Sequence, residues 1–262
     1  MTGIILRTKN IITLTTDLGI KDYYASILKG QILKIEPNIN IIDITHTIQD
    51  FNLGEGAFIF KNAYPHYPLG TIHFIAINTD RTDCEQYLVF EHKDQYFIGP
   101  DNGIFSLIFD ELPTLMFSIP ISKVDPFPLK KIISTSLGLI LKDSLESLGT
   151  PCSEIQKRIT FHPVTGSSMI RGSVIHVDNF ENVIVNIHRE LFEQISSGRD
   201  FEIYYKRWNP ITKISNKYQD AEIGEILALF NSSNYLEIAV NMGRAATLLG
   251  LEVDDSIQID FL

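Results

Sequence analysis

The first 150 residues alternate short, apolar, β-branched runs with stretches whose apolar residues recur at helical spacing. The first such run is followed, after Asp22, by a helical period that ends at Pro37. Strand-like runs occupy residues 11–15, 39–44 and 72–77, a hairpin is predicted over 87–91 and 95–98, and further helices over 54–64, 105–112 and 132–148. This βαβ order favours an α/β fold with a largely parallel sheet.

The pattern changes near residue 166, where short strands separated by turn residues replace the helices. These strands are predicted over residues 172–177, 183–187, 201–205, 225–230 and 236–240. Such regular spacing is typical of a small β-barrel or sandwich. We therefore expect an α/β domain over residues 1–165 and a smaller β domain over 166–262.

Composition restricts the partners and the compartment. The formal net charge is −10 and no run of Lys or Arg exceeds two residues, which argues against nucleic acid. No segment reaches the roughly 18 apolar residues of a membrane span, and the first ten residues lack the apolar core of a signal peptide. Two widely separated cysteines, Cys84 and Cys152, indicate reduced thiols. We expect a cytoplasmic protein without a membrane partner.

Asp17 is the clearest candidate for ligand binding, because it directly follows the first predicted strand. Ligands of parallel α/β sheets bind beyond the carboxyl ends of the strands. A carboxylate accepts two hydrogen bonds at once, as vicinal ribose hydroxyls require. The alternative is that Asp17 only caps the following helix. The residues alone leave both interpretations open.

Three further polar segments have turn compositions. Residues 99–103 (GPDNG), 178–182 (DNFEN) and 231–234 (NSSN) each follow a predicted strand. Taken singly, each is better explained as a structural turn. The seven histidines show no metal-binding spacing, and no Walker A loop, GxGxxG fingerprint or GxSxG elbow occurs. We therefore expect no metal site.

Taken together, these segments resemble the S-adenosylmethionine (SAM) hydroxide adenosyltransferases, which are related to fluorinating and chlorinating enzymes. Residues 15–19 (TTDLG), 43–46 (DITH), 99–103 (GPDNG), 178–182 (DNFEN) and 231–240 (NSSNYLEIAV) are similar to the family's motifs and stand in the family's order. Two glycines of those motifs are replaced, by Glu181 and Asn234.

The resemblance implies a Rossmann-like N-terminal domain and a β-barrel C-terminal domain. It also implies a homotrimer in which SAM, as substrate or ligand, lies between the N-terminal domain of one subunit and the C-terminal domain of its neighbour. No separate cofactor is implied.

The resemblance also assigns binding roles by position. Asp17 would hold the ribose hydroxyls, and the rings of Phe51 and Phe127 would line the pocket. In the second domain the adenine would meet Asn182 through hydrogen bonds and Tyr218 through stacking. The methionine amine and carboxylate would be held by Asp178, Ser232 and Ser233. These residue types suit those tasks.

The sequence departs from the hydrolytic relatives where they carry an Asp–Arg–His triad. By position, Asn78 replaces the Asp, Glu85 or Gln86 the Arg, and Pro128 the His. Asn78 would still line the pocket. Shifting the alignment by two residues would instead bring in Asp80 and Arg81. The catalytic residues therefore stay unassigned.

Three functions are compatible with this pattern. The first is attack of water on C5′ of SAM, with activity reduced or absent because the triad is missing. The second is an inactive SAM or adenosine binder or sensor. The third, a structural trimer with a degenerate site, is disfavoured because the polar binding residues are retained.

Overall fold

A computed structural model describes residues 9–79, 84–122, 124–148, 150–159, 162–206 and 209–262. The chain divides into two compact units, Met1–Ile159 and Thr160–Leu262. Within the described ranges, no helix is long and apolar enough to cross a membrane.

The first unit is built on a seven-stranded sheet in the order β2-β1-β3-β5-β4-β6-β7. Its strands are β1 (Ile11–Thr16), β2 (Asn40–Thr45), β3 (Ile72–Ala76), β4 (Gln86–His92), β5 (Gln95–Pro100), β6 (Met116–Pro120) and β7 (Thr150–Cys152). Strands β2, β1, β3 and β5 are parallel, whereas the pairings of β4 with β5 and β6, and of β6 with β7, are antiparallel.

The sheet is therefore mixed rather than largely parallel. The reason is the two-residue turn at Lys93 and Asp94, whose φ angles of 50° and 61° are those of a tight hairpin. This turn reverses β4 against β5, and the two strands beyond β4 add in antiparallel fashion.

Four helices cover the sheet: α1 (Tyr24–Ile35), α2 (Leu53–Ala63), α3 (Ile104–Ile108) and α4 (Leu129–Leu141). One apolar core lies between the sheet and α1 with α4, and a second between the sheet and α2 with α3. Helices on both sides of a partly parallel sheet give the expected Rossmann-like arrangement.

Two helix predictions were too long. The first concerned residues 105–112, where α3 ends at Ile108 because the next residue, Phe109, adopts an extended backbone. The second concerned residues 132–148, where α4 begins earlier and ends at Leu141. Asp143 then adopts a left-handed φ of 53°, and only a short 3₁₀ turn follows.

The second unit is a curled eight-stranded sheet around one apolar core. Its elements are β8 (Val164–Thr165), β9 (Met169–Val177), β10 (Val183–His188), α5 (Arg189–Ser196), β11 (Phe201–Tyr204), β12 (Ile214–Ser215), β13 (Ile226–Phe230), β14 (Tyr235–Val240), α6 (Ala245–Leu249) and β15 (Ser256–Phe261). The order is β11-β15-β9-β10-β14-β13-β12, with β8 paired to β9.

A backbone bridge between Ile203 in β11 and Ile211, just before β12, brings the two ends of this sheet together. The bridge agrees with the expected small barrel. The sequence had not indicated α5, α6, β8, β12 or β15.

Candidate functional site

Asp17 connects three loops at the carboxyl ends of the parallel strands. It follows β1 directly, and its Oδ2 accepts a 2.9 Å hydrogen bond from the backbone N–H of Asn78, which follows β3. The same oxygen accepts a 3.2 Å hydrogen bond from the backbone N–H of Phe51. The other oxygen, Oδ1, accepts no hydrogen bond from the rest of the described chain. Among the described residues, neighbouring loops thus use one oxygen of this carboxylate and not the other.

The two residues that donate to Asp17 have unusual backbones. Phe51 and Asn78 adopt left-handed φ angles of 65° and 51°. Such a conformation is common for Asn and costly for a bulky residue such as Phe. The hydrogen bond to Asp17 helps to hold Phe51 in it, with its ring 64% exposed. The result is an aromatic side chain at the strand ends that is anchored by its backbone yet open to a ligand.

Burial raises the pKa of Asp17 above its ordinary value. The backbone N–H groups of Asn78 and Phe51 act in the opposite direction, because they favour the ionised form, while the charge of nearby Asp50 adds to the increase. A carboxyl group of this kind gains and loses its proton at a higher pH than an exposed aspartate.

The alternative role of Asp17 as a helix cap does not fit the structure. Helix α1 begins at Tyr24, and its N-cap residue is Tyr23, which makes no side-chain capping bond. Asp17 lies several residues earlier, and its carboxylate is directed to the loops after β2 and β3. Its local role is therefore to tie loops together.

The DITH segment fixes the turn after β1. His46 Nδ1 hydrogen-bonds to Thr16 Oγ1 at 2.8 Å, and its Nε2 lies 3.1 Å from a carboxylate oxygen of Asp43. Asp43 also pairs with Lys29 at 2.5 Å, and the carbonyl of His46 accepts a 2.7 Å bond from Gly19 N–H. The segment acts as a structural support for the neighbouring Asp17.

The GPDNG segment supports the loop after β3. The fully buried Asn102 donates from Nδ2 to the carbonyls of Ile77 at 2.9 Å and Asn78 at 3.2 Å. Asp101 accepts a 2.9 Å bond from Gln86 Nε2. The side chains of Asp101 and Asn102 therefore both make hydrogen bonds within the protein, in agreement with the structural interpretation of the motif.

Asn78, which the resemblance places at the Asp position of the triad, lies in the middle of this arrangement. It is 8% exposed, and its N–H and carbonyl bind Asp17 and Asn102 respectively. A carboxamide does not take up a proton at neutral pH. The alternative pair, Asp80 and Arg81, lies outside the described residues.

The resemblance places Glu85 or Gln86 at the Arg position of the triad and Pro128 at the His position. Gln86, at one candidate Arg position, is engaged by Asp101, and Glu85, at the other, is exposed. Pro128 is the residue that precedes the first turn of α4 and offers no side-chain donor or acceptor. None of these side chains reproduces the chemistry of Arg or His.

Phe127 belongs to an aromatic group at the start of α1 and α4. Its ring centre lies 5.4 Å from that of Tyr24, which lies 4.7 Å from that of Tyr23. Phe127 is partly buried against the core beneath α1 and α4. Its predicted place in a ligand pocket stays a prediction.

In the second unit, Asp178 organises the turn between β9 and β10. Its Oδ1 accepts from the N–H groups of Phe180 and Asn182, both at 2.8 Å, and its Oδ2 accepts from Asn182 Nδ2 at 3.0 Å. Asn182 is buried. The structure thus brings Asp178 and Asn182 together, with Asn182 Oδ1 directed to no donor in the described chain.

The replaced glycines retain glycine-like backbones. Glu181 and Asn234 have φ angles of 63° and 62°. Asn tolerates this conformation, whereas Glu181 is supported by its side chain, which accepts 3.1 Å and 3.2 Å bonds from Arg244 and from Thr247 N–H at the start of α6. Both positions therefore adopt a positive φ, which glycine adopts most readily, without being glycine.

Tyr218 and the serine turn flank a residue that the sequence analysis missed. The hydroxyl of Tyr218 donates a 2.7 Å hydrogen bond to Glu237, a carboxylate only 3% exposed in the middle of β14. Ser232 is exposed and Ser233 half-buried in the neighbouring turn. An acid inside the otherwise apolar run YLEIAV was the available signal for Glu237.

An α/β domain with a carboxylate at its strand ends, joined to a small barrel, defines a two-domain protein suited to a small polar ligand. Its sequence matches the SAM hydroxide adenosyltransferase N-terminal domain over residues 12–135 and the C-terminal domain over residues 172–258. The chain belongs to this family, which confirms the resemblance.

Curated relatives carry two activities in their names. The chain is 30% identical to an (R)-S-adenosyl-L-methionine hydrolase of Methanocaldococcus jannaschii, over 95% of both chains. It is 23% identical to a protein of the same name from Salinispora tropica, over 95% of this chain and 97% of the relative. It is 24% identical to a fluorinase of Nocardia brasiliensis, over 95% of this chain and 96% of the relative.

Solved structures support the fold. An uncharacterized conserved protein from Thermotoga maritima superposes with a TM-score of 0.84 at 27% identity, covering 95% of this chain and 99% of that one. A conserved hypothetical protein from Thermus thermophilus gives a TM-score of 0.74 at 20% identity, over 97% and 100%. The second likeness concerns the fold alone.

Proposed function

We propose that the protein binds SAM and transfers its adenosyl group to water. A water oxygen forms a bond to C5′ of the ribose while the C5′–sulfur bond breaks and its electron pair returns to sulfur. The products are adenosine and methionine, and one proton of the water is released. The matched family and the hydrolases among its relatives support this reaction over an inert binder.

The observation that carries the proposal is the difference between the two carboxylate oxygens of Asp17. Its Oδ2 is committed to two backbone N–H groups, which fix the orientation of the whole group. Its Oδ1 accepts no hydrogen bond from any other described residue. A fixed carboxylate oxygen at the strand ends is suited to accept hydrogen bonds from the 2′- and 3′-hydroxyls of a ribose.

Aromatic rings are proposed to surround the reacting sulfonium. Phe51 presents an exposed ring beside Asp17, and Phe127 lies with Tyr24 at the start of α4. An aromatic face stabilises a cation in a site that excludes water. Asn78, buried between Asp17 and Asn102, is proposed to line the pocket next to them.

The C-terminal domain, over residues 166–262, is proposed to bind the two ends of the ligand. Asn182 offers its Oδ1 to the adenine amine, and Tyr218 offers its ring for stacking. Asp178 would receive the methionine ammonium, with the hydroxyls of Ser232 and Ser233 at the carboxylate. These assignments rest on the family resemblance and on the polar groups that the two turns hold in place.

We infer a homotrimer in which each SAM lies between the N-terminal domain of one subunit, over residues 1–165, and the C-terminal domain of the next. The ribose-binding and adenine-binding groups lie in different units, so one ligand must meet both. The proposed compartment is the cytoplasm, where the thiols of Cys84 and Cys152 would stay reduced. Light scattering should give about three times the 29.7 kDa of one chain.

A second candidate is a SAM or adenosine binder without useful catalysis. Asn78 and Pro128 favour it, because neither side chain accepts a proton from water at neutral pH. In that case ligand binding is retained and product formation is not.

Calorimetry with SAM and adenosine, combined with chromatography of a SAM incubation, tests both candidates. Adenosine and methionine in equal amounts support the enzyme, and binding without product supports the second candidate. The absence of binding to either compound contradicts both. Replacing Asp17 by Asn should weaken binding, whereas the matched control Asp110→Asn, at a surface carboxylate 93% exposed, should not.

A further inference from the structure

Glu237 is a buried acid to which the proposed ligand contacts assign no role. Its neighbours in β14, Leu236 and Ile238, face the main core of the second unit, so its own side chain lies on the opposite side of the sheet. That side carries a second, small apolar cluster, formed by Leu227, Leu229, Ala239 and Ala221. Glu237 is 3% exposed on this same face.

Its contacts connect two loops. One carboxylate oxygen accepts the 2.7 Å hydrogen bond from Tyr218, in the segment 216–221. The side chain of Asn231 also lies close enough to Glu237 to lower the pKa of its carboxyl group. Asn231 in turn uses its Oδ1 to accept from the N–H groups of Ser233 at 3.0 Å and Tyr235 at 3.2 Å. The tyrosine segment is therefore bonded to the Glu237 carboxylate, and the serine turn approaches the same carboxylate through Asn231.

Resting on the function proposed above, we propose that Glu237 is a positioning residue for the adenosyl site. It holds the phenol end of Tyr218, so that the ring presents one fixed face to the adenine. Through Asn231 it also keeps the serine turn in register with that ring. Glu237 itself does not contact the ligand.

The physical reason is the cost of ordering a half-exposed aromatic side chain. Tyr218 lies at the start of a single 3₁₀ turn, Tyr218–Asp220, and is 39% exposed. Without a tether its ring would sample several rotamers, and ligand binding would have to select one of them. A hydrogen bond to a buried acceptor fixes the ring before the ligand arrives.

The electrostatic environment of the pair agrees with this role. Burial raises the pKa of Glu237, an effect increased by nearby Asp178 and opposed by the hydrogen bonds from Tyr218 and Asn231. Burial and the bond to Glu237 raise the pKa of Tyr218. The phenol therefore stays protonated and continues to donate at physiological pH.

Adenosine affinity of four variants tests the proposal. We expect Tyr218→Phe and Glu237→Ala each to weaken adenosine binding about 3- to 10-fold, the range for freeing one side chain. Glu237→Gln retains an acceptor and should bind within about twofold of the unaltered protein. The double variant Tyr218→Phe/Glu237→Ala should bind no more weakly than Glu237→Ala alone, because that single change already removes the bond to Tyr218.

The chain supplies a matched control in the same unit. Tyr204 donates to Glu202 on β11, and this second tyrosine–glutamate pair is partly exposed. Tyr204→Phe and Glu202→Gln should leave adenosine affinity unchanged. Full affinity in Tyr218→Phe, or additive losses in the double variant, would overturn the positioning role. Tyr218→Phe removes no buried charge, so the test holds even where Glu237→Ala folds poorly.

Hydrogen exchange without ligand separates this proposal from the proposed function. Glu237→Gln should leave exchange nearly unchanged, and Tyr218→Phe should raise exchange in residues 216–221 alone. Glu237→Ala should raise exchange in both 216–221 and 231–235. If hydrogen exchange of either segment is unaltered in Glu237→Ala, the positioning role of Glu237 is contradicted. Failure of the unaltered protein to bind adenosine or SAM contradicts only the proposed function, and exchange then decides the tether by itself.

Discussion

The backbone N–H of Asn78 donates a 2.9 Å hydrogen bond to Oδ2 of Asp17. The carboxylate proposed to bind the ribose therefore also holds the loop in which the hydrolytic relatives place their Asp. Because one group would serve both purposes, a change at position 17 is expected to displace the loop after β3 as well as to alter the proposed ribose contact. Experiments at this position must therefore distinguish the loss of a hydrogen bond to the ligand from a displacement of the loop that contains Asn78.

Asp17→Asn is expected to make that separation. Its amide oxygen still accepts from the backbone of Phe51 and Asn78, whereas its Nδ2 replaces one acceptor for the ribose by a donor. Losing a charge-assisted hydrogen bond costs ~1.5–3 kcal/mol, or ~10- to 150-fold in adenosine affinity. Calorimetry and thermal melting measure the two effects. A lower melting temperature with full affinity would show that Asp17 serves only the fold.

The pH dependence of adenosine binding should follow the raised pKa of Asp17. Because burial favours the protonated form in the folded state, this group stabilises the fold most below its unfolded pKa and less as the pH rises through the folded pKa. Ligand binding has the opposite sign, since the ribose hydroxyls need the carboxylate. Affinity should therefore fall as the pH is lowered through the raised pKa.

Titration calorimetry at stepped pH checks this expectation. Asp17→Asn should flatten the acidic limb. Glu237→Gln should not, although burial also raises the pKa of Glu237. An acidic limb that persists in Asp17→Asn would assign the titration to another group.

Two glycine substitutions should change stability in opposite directions. Gly138 lies inside α4 with open space where a Cβ would stand, so Gly138→Ala should raise the free energy of unfolding by about 1 kcal/mol. Gly103 has a φ of 95°, and a Cβ there would lie 2.4 Å from the side chain of Arg158. Gly103→Ala should lower stability by ~1–3 kcal/mol. Urea unfolding measures both, and equal effects would contradict the backbone argument.

Sequence periodicity was sufficient for most of the strands and for the order of helices in the first unit. It missed features that depend on single backbone conformations, such as the break after α4 at Asp143. It also missed β15, whose alternating SIQIDF was not assigned. Local φ angles of this kind are set by tertiary contacts as much as by residue type.

The candidate site was predictable in part. The position of Asp17 after a strand indicated a ligand contact, but its bonds to Phe51 and Asn78 join residues 34 and 61 positions apart. A left-handed phenylalanine has no sequence signal. Glu237 was overlooked because its partner Tyr218 comes close only through the fold of the barrel.

Catalysis provides the sharpest prediction: the protein should bind SAM yet hydrolyse it slowly, and restoring the missing groups should accelerate it. Asn78→Asp keeps the left-handed φ of 51°, which Asp tolerates, and adds a proton acceptor beside Asp17. Pro128→His adds a second titratable group before α4. A lost proton acceptor costs ~10²–10⁴-fold in rate, and the effects of linked groups are not additive. The rate gain of the double variant should therefore exceed the product of the gains of the single variants.

Single-turnover chromatography with labelled SAM measures the rate of adenosine release, and adenosine calorimetry checks that affinity stays within about twofold. If the unaltered protein already releases adenosine as fast as the Methanocaldococcus jannaschii hydrolase, the missing triad is compensated, and Asp80 and Arg81 become the residues to substitute next.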